Sequence, residues 1–287
     1  MQVRDPVLGT RAEVHVAALD VDIATALETA LFDELSRLEA IFTLFDDSSA
    51  MNEYRRTGKT AIEQLLVVAE LATHWRTRTG GAFSPVCRPL ADMWDLAEQR
   101  GAPPTDEQLR QVLAALGDGP TATQHLDFNA VAKGWIVDRA LDSLFENTNE
   151  VKSAWLNIGG DLVHRGSGSL RVGIEDPNRP YDNVAPMAET EVCNEALATS
   201  GGARRFWTID GVRYSKVLDP RTGRPVDRVR SATIVAGDAA TADAIATAAL
   251  VLSTEQTLEL TSSEDAECFL VLADGQVVQS SDRFRPV

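Results

Sequence analysis

Residues 154–161 read Ala154-Trp-Leu-Asn-Ile-Gly-Gly-Asp161, an apolar run that stops at two glycines and an acid. Helical patterns prevail before it and strand patterns after it. Upstream, Ala12, Val14, Val16 and Ala18 alternate with Glu13 and His15, the period of two expected of a half-buried strand over 11–18. Over 24–41, Leu27, Leu31, Leu35, Leu38 and Ile41 recur every three or four residues, which predicts a helix with one stripe facing a core. Residues 46–58 read as a polar loop and 61–77 as a second helix, which Gly80-Gly81 breaks. The proline-bearing stretch 85–104 reads as irregular, with a short helix. Thr105 with Gln108 three residues on marks an N-cap, ahead of a stripe made by Leu109, Val112, Leu113 and Leu116. A further helix is expected over 131–145.

Downstream, strands are expected over 154–158, 169–174, 195–199, 203–209 and 231–236. Turn signals at Gly159-Gly160, Asp176-Pro177, Asp210-Gly211 and Asp219-Pro220 separate them. A helix is expected over 239–253, then a hairpin of 268–272 and 277–280 around Asp274-Gly275. This order predicts an α+β fold, with helices packed on a largely antiparallel sheet.

With 27 basic and 43 acidic residues the formal charge is -16, a field that repels nucleic acid and obliges any anionic ligand to find local positive charge. Cys87, Cys193 and Cys268 are odd in number and widely spaced, which argues against a disulfide framework or structural zinc, and they read as buried thiols. No run of about 18 apolar residues occurs, and residues 1–10 carry no signal peptide or lipobox. The expected location is cytoplasmic for the chain as given, or periplasmic or surface if a leader was removed.

Several segments carry chemistry. Asp243 and Thr247 lie four apart in an alanine-rich helix, so both side chains rise from one face, where they form a polar stripe or reach one hard cation. Residues 127–134, Asp-Phe-Asn-Ala-Val-Ala-Lys-Gly, open a helix. Its free N–H groups and Lys133 make an anion site, or Asp127 is simply a cap. The glycines of 156–161, 198–202 (Ala-Thr-Ser-Gly-Gly) and 219–223 (Asp-Pro-Arg-Thr-Gly) serve close ligand approach and ordinary turns equally well. His15, His74, His125 and His164 share no motif spacing, so neither a histidine metal site nor a Ser-His-Asp triad is supported.

Taken together and in order, these segments resemble the FAD:protein FMN transferase family, also called ApbE and formerly thiamine biosynthesis lipoproteins. The resemblance runs through Leu8-Gly-Thr10, then Thr79-Gly-Gly-Ala-Phe-Ser-Pro85 with Pro89-Leu90 and Trp94, then 127–134 with Val137-Asp138. It continues through 157–161, Val172-Gly-Ile174 with Pro177, 198–201, 219–223 and Ala242-Asp-Ala-Ile-Ala-Thr-Ala248. It implies one ApbE-type domain over 1–287, of α+β, T-fold-related, two-sheet architecture, with two subdomains conceivable beside an FAD cleft. It further implies Mg2+ held by the side chains of Asp243 and Thr247 and the carbonyl of Ala130. FAD contacts fall on Leu8, Phe45, Ala82, Phe83, Ser84, Asp127 and Lys133. The implied reaction breaks the FAD pyrophosphate, joins FMN to a Thr or Ser of an acceptor flavoprotein, and releases AMP.

The chain departs from the family in places. Ser84 stands where the family has Asp, Val86-Cys87-Arg88 where it has Thr-Val-Gly, and residues 48–54 keep little of an early Ser-Glu block. Lys216 occupies the place of a histidine, the candidate general base, just before 219–223. A lysine there serves as base only if it is desolvated or flanked by a cation such as Arg221; otherwise it contacts a phosphate oxygen. Hydrolysis of FAD to FMN and AMP, or flavin binding without turnover, are the alternatives.

Overall fold

The computed structural model of the chain describes residues 1–116, 122–179, 184–202 and 206–287. It begins with β1 (Gln2–Val7), β2 (Thr10–Ala18), α1 (Val21–Phe42), α2 (Ala50–Thr57), α3 (Glu63–Arg78), α4 (Arg88–Arg100), α5 (Asp106–Ala115) and α6 (Asn129–Asn147). Strands follow: β3 (Val151–Ile158), β4 (Asp161–Gly166), β5 (Leu170–Ile174), β6 (Ala188–Val192), β7 (Ala196–Gly201), β8 (Phe206–Ile209) and β9 (Val212–Ser215). Then come β10 (Leu218–Asp219), β11 (Arg224–Pro225), β12 (Val229–Ala236), α7 (Ala239–Ala249), α8 (Thr254–Ser263), β13 (Glu267–Leu272), β14 (Val277–Gln279) and β15 (Arg285–Pro286).

Eight strands make one antiparallel sheet in the order β1-β2-β3-β4-β7-β12-β13-β14. Alternation sorts its side chains onto two faces. Val14, Leu156, Val163, Ala198, Ile234 and Leu270 join the core made with α1, α6 and α7. Leu162, Leu197, Val235, Phe269 and Val271 belong to the opposite face, where they meet Ile174, Ala188 and Val192 of a second sheet, β15-β6-β5. Covered on both faces, β12 is apolar at consecutive positions rather than alternating. A third cluster, with Leu90, Trp94, Trp207 and Ile209, joins α4 to the β8–β9 hairpin; Trp94 and Trp207 stack at 5.5 Å. This is the antiparallel α+β architecture expected above; besides the two packed sheets, the described residues form two two-stranded pairs, β8–β9 and β10–β11.

Some elements differ from the sequence expectation. The polar segment 46–58 contains α2, which buries only Met51; Ser49 caps its start and Gly58, in the left-handed conformation, its end. Helix α4 is a full 13 residues, entered through a proline in its first turn and closed by Gly101. The expected helix 239–253 ends at Ala249, and Ser253 with Gln256 forms a capping box that starts α8. Residues 203–205 of an expected strand lie outside the described residues. Cys193 is exposed, unlike Cys268, because it sits in the turn after β6, where its thiol donates to the Gly168 carbonyl at 3.1 Å. Among the described residues no helix is long and apolar enough to cross a membrane.

Candidate active site

Helix α7 is alanine-rich because it is buried on nearly every side, against α6, β7 and β12. Asp238 caps it, accepting from the Thr241 N–H at 2.7 Å. Gly134 of α6 lies against the start of α7: a Cβ there would clash with the Ala239 carbonyl, so only glycine lets the helices approach this far. The residue before it, Lys133, then reaches across to α7 and to the start of β4.

Lys133 Nζ donates to Asp161 Oδ2 and stands 3.9 Å from Asp243 Oδ2. Both carboxylates are buried, at 1% and 4% exposure, and such charges are tolerated only when paired. Burial pushes Asp243 well above the usual carboxylate range, the neighbouring Asp161 charge adds to this, and Lys133 and the Gly134 N–H oppose it. Burial also raises Asp161, against the pull of Lys133. Burial works to lower Lys133, but the Asp243 and Asp161 charges outweigh it and hold the ammonium above its ordinary value. Asp243 Oδ2 has no hydrogen-bond partner among the described residues. One turn further on, Thr247 Oγ1 lies 3.5 Å from Ser200 Oγ at the end of β7.

Tight turns bring the other segments to this end of the sheet. Leu8 and Gly9 both have positive φ in the β1–β2 turn. Next to them the Thr10 methyl packs so closely on Gly159 that a Cβ there would be 2.6 Å away. The Thr199 N–H donates to the Gly160 carbonyl at 3.2 Å, and the Asp127 N–H to the Pro85 carbonyl at 2.7 Å. Asp127 itself accepts from the Asn129 N–H at 3.0 Å, a local turn just ahead of α6; the N-cap position belongs to Phe128, and no side chain caps the helix. Ala130 lies half-buried in the first turn of that helix. Ala82 and Phe83 are buried in the core, and the Phe83 N–H is engaged by Thr79 Oγ1 at 3.0 Å. Ser84 lines a cavity of about 150 Å³ with Arg76, Gly81, Leu90, Pro220 and Arg221.

Two expected residues stand apart. Phe45 is fully exposed on the loop after α1, a loop held by bonds from Asn52 Nδ2 to the Leu44 and Asp46 carbonyls. Lys216 donates to Asp95 of α4 at 3.3 Å and lies 5.1 Å from the centre of the Trp207 ring. Arg221 is gripped by both oxygens of Asp219. The exposed Lys216 is therefore neither desolvated nor shown beside a free cation, the two conditions for a base. Asp161, Ser200 and Asp95 were not among the expected site residues. Sequence signals existed for Asp161, which follows the two glycines of 156–161, and for Ser200, inside the segment 198–202; Asp95 had none.

The donors present suit a small hard cation: a carboxylate oxygen lacking a partner, a hydroxyl one turn along the same helix, and backbone carbonyl oxygen at the start of α6. Among the described residues no three His, Cys, Asp or Glu side chains cluster as a metal site. Such a site would therefore rest on mixed oxygen donors rather than a cage of carboxylates.

A model described as the ApbE family matches residues 8–270. The chain belongs to the ApbE family. A protein of Vibrio cholerae named FAD:protein FMN transferase is 27% identical to this ApbE chain, over 98% of it and 90% of the relative. One of that name from Treponema pallidum is 28% identical over 88% of this chain and 79% of the relative. The ApbE crystal structure from Thermotoga maritima superposes with a TM-score of 0.80 at 25% identity, covering 98% of this chain and 97% of that one. A histidine-to-glycine mutant of the V. cholerae flavin transferase ApbE does so at 0.77 and 25%, with the same coverage.

Proposed function

We propose that this chain is a magnesium-dependent FAD:protein FMN transferase. The acceptor hydroxyl of a Ser or Thr forms a bond to the FMN phosphorus, the pyrophosphate bond to AMP breaks, the hydroxyl proton is released, and AMP departs. The observation that carries this is the unpartnered Asp243 Oδ2 beside the Lys133 ammonium, at the end of the sheet where the family's segments converge. Asp243, Thr247 and the Ala130 carbonyl would hold Mg2+, which would supply neutralisation of charge on the phosphates.

The chain's own residues do the rest by position and charge. Lys133 offers a half-buried cation to a phosphate oxygen, and Asp161 holds that cation in place. Leu8, Ser84 and Asp127 border the cleft proposed for FAD, Ala82 and Phe83 pack beneath it, and Phe45 offers an open aromatic face. Lys216, held by Asp95, acts as a cation toward phosphate rather than as a base.

The test is to incubate the protein with FAD, Mg2+ and an acceptor bearing Asp-x-x-Ser/Thr-Gly-Ala-Thr. An FMN mass gain on the acceptor is expected. A second reading, FAD hydrolysis, is favoured by the same Lys216–Asp95 pair, which leaves the acceptor proton without an evident neutral base; free FMN with unmodified acceptor would select it. Unchanged FAD would leave a flavin-binding protein.

A further inference from the structure

Helix α7, which carries Asp243 and Thr247, is gripped at its start by a residue of another helix. Asp138 of α6 accepts from the Ala239 N–H with both oxygens, at 2.9 and 2.7 Å, and from the Ala240 N–H at 3.0 Å. It is buried, at 9% exposure. Arg165 of β4 backs it, with Nη2 3.5 Å from Asp138 Oδ1 and 3.3 Å from the Gly237 carbonyl just before the helix. Asp142 of α6 lies 3.4 Å from the same guanidinium, and Asp238 of α7 provides the ordinary cap.

The geometry repeats itself. Lys133 of α6 pairs with Asp161 of β4 against the middle of α7; Asp138 of α6 pairs with Arg165 of β4 against its first turn. Thr241 N–H is already satisfied by Asp238, so Asp138 supplies what a side chain of α7 itself does not: a fixed point on a neighbouring helix. A carboxylate holding two successive N–H groups sets how far α7 lies along its axis and how it is turned about it. Those two coordinates decide where the Asp243 and Thr247 oxygens stand relative to Lys133.

We infer that Asp138 is a positioning residue for the cation site: it registers α7 against α6 so that Asp243 and Thr247 converge on one divalent ion. This rests on the metal role given to Asp243 above. Outer partners of metal ligands typically contribute about ten-fold or more in affinity.

The experiment measures Mn2+ binding to the full-length chain by loss of the free-ion electron paramagnetic resonance signal, beside urea unfolding. Asp138→Asn is expected to weaken Mn2+ binding about ten-fold while the chain remains folded, with turnover recovering at saturating Mn2+. Leu144→Ala, a core truncation on the same helix, is expected to lower stability and leave Mn2+ affinity unchanged. Wild-type Mn2+ affinity in Asp138→Asn, with Asp243→Ala unable to bind, would overturn the positioning role and leave the metal reading standing. Unaltered Mn2+ binding in Asp243→Ala would overturn both. If Asp138→Asn does not fold, Asp138→Glu decides: it keeps the charge and moves the grip, and an unchanged affinity would overturn the inference.

Discussion

Lys133 and Lys216 are both lysines paired with aspartate, yet they sit in opposite surroundings. Lys133 lies between two helices and the sheet, with two buried carboxylates facing it. Lys216 lies at the surface, with one half-exposed carboxylate and the face of an indole. A buried charge must be answered by other charges, so removing one member of the first cluster leaves the others without compensation. An exposed pair is screened by water, and its loss is felt mainly by whatever ligand it contacts. The difference separates a charge cluster that the fold itself must balance from a surface pair that water screens.

Asp243→Ala should have the largest consequence: FMN transfer falls at least about a hundredfold, read as mass gain on the acceptor. Retained turnover would mean the buried cluster is structural only. Lys133→Met should come next, lowering unfolding free energy by about 3–5 kcal/mol in urea, because Asp161 and Asp243 lose their cation. A loss below about 1 kcal/mol would place Lys133 with the surface pairs.

The third prediction concerns pH. Burial raises Asp138 from 3.8 to about 7, although the Ala239 and Ala240 N–H groups pull it down. The folded chain thus holds this proton more tightly than the unfolded one, and stability contributed by the protonated form is lost as pH rises from about 4 through about 7. Stability of the wild type relative to Asp138→Asn should fall by up to roughly 4 kcal/mol across that window. Chemical unfolding at several pH values measures this, and a flat difference would show that Asp138 is ionised throughout. Lys133 works at the other end: its contribution is full below about 10.5 and fades only as pH rises through its higher folded value.

Lys216→Ala should have the smallest effect on folding, within about 1 kcal/mol. It should lower transfer more than FAD affinity. Equal losses would make Lys216 a simple binding contact, and full activity in Lys216→Arg would support action by charge.

Local chemistry was enough for the α1 stripe, the capping box at Thr105, the turns at paired glycines and the run of small residues in α7, because these depend on neighbours three or four positions away. The order of its segments was enough for the family and its α+β fold. Local reading went astray at α2, where two caps hold a helix with almost no apolar face. Only the folded chain decided that Lys133 meets Asp161, 28 positions on, and that Lys216 meets Asp95, 121 positions back. The physical reason is that periodicity states which face of an element is buried, whereas the partner of a buried charge is chosen by how elements slide and turn against one another. Gly134 and Asp138 govern that between α6 and α7, and neither distance can be read along the chain.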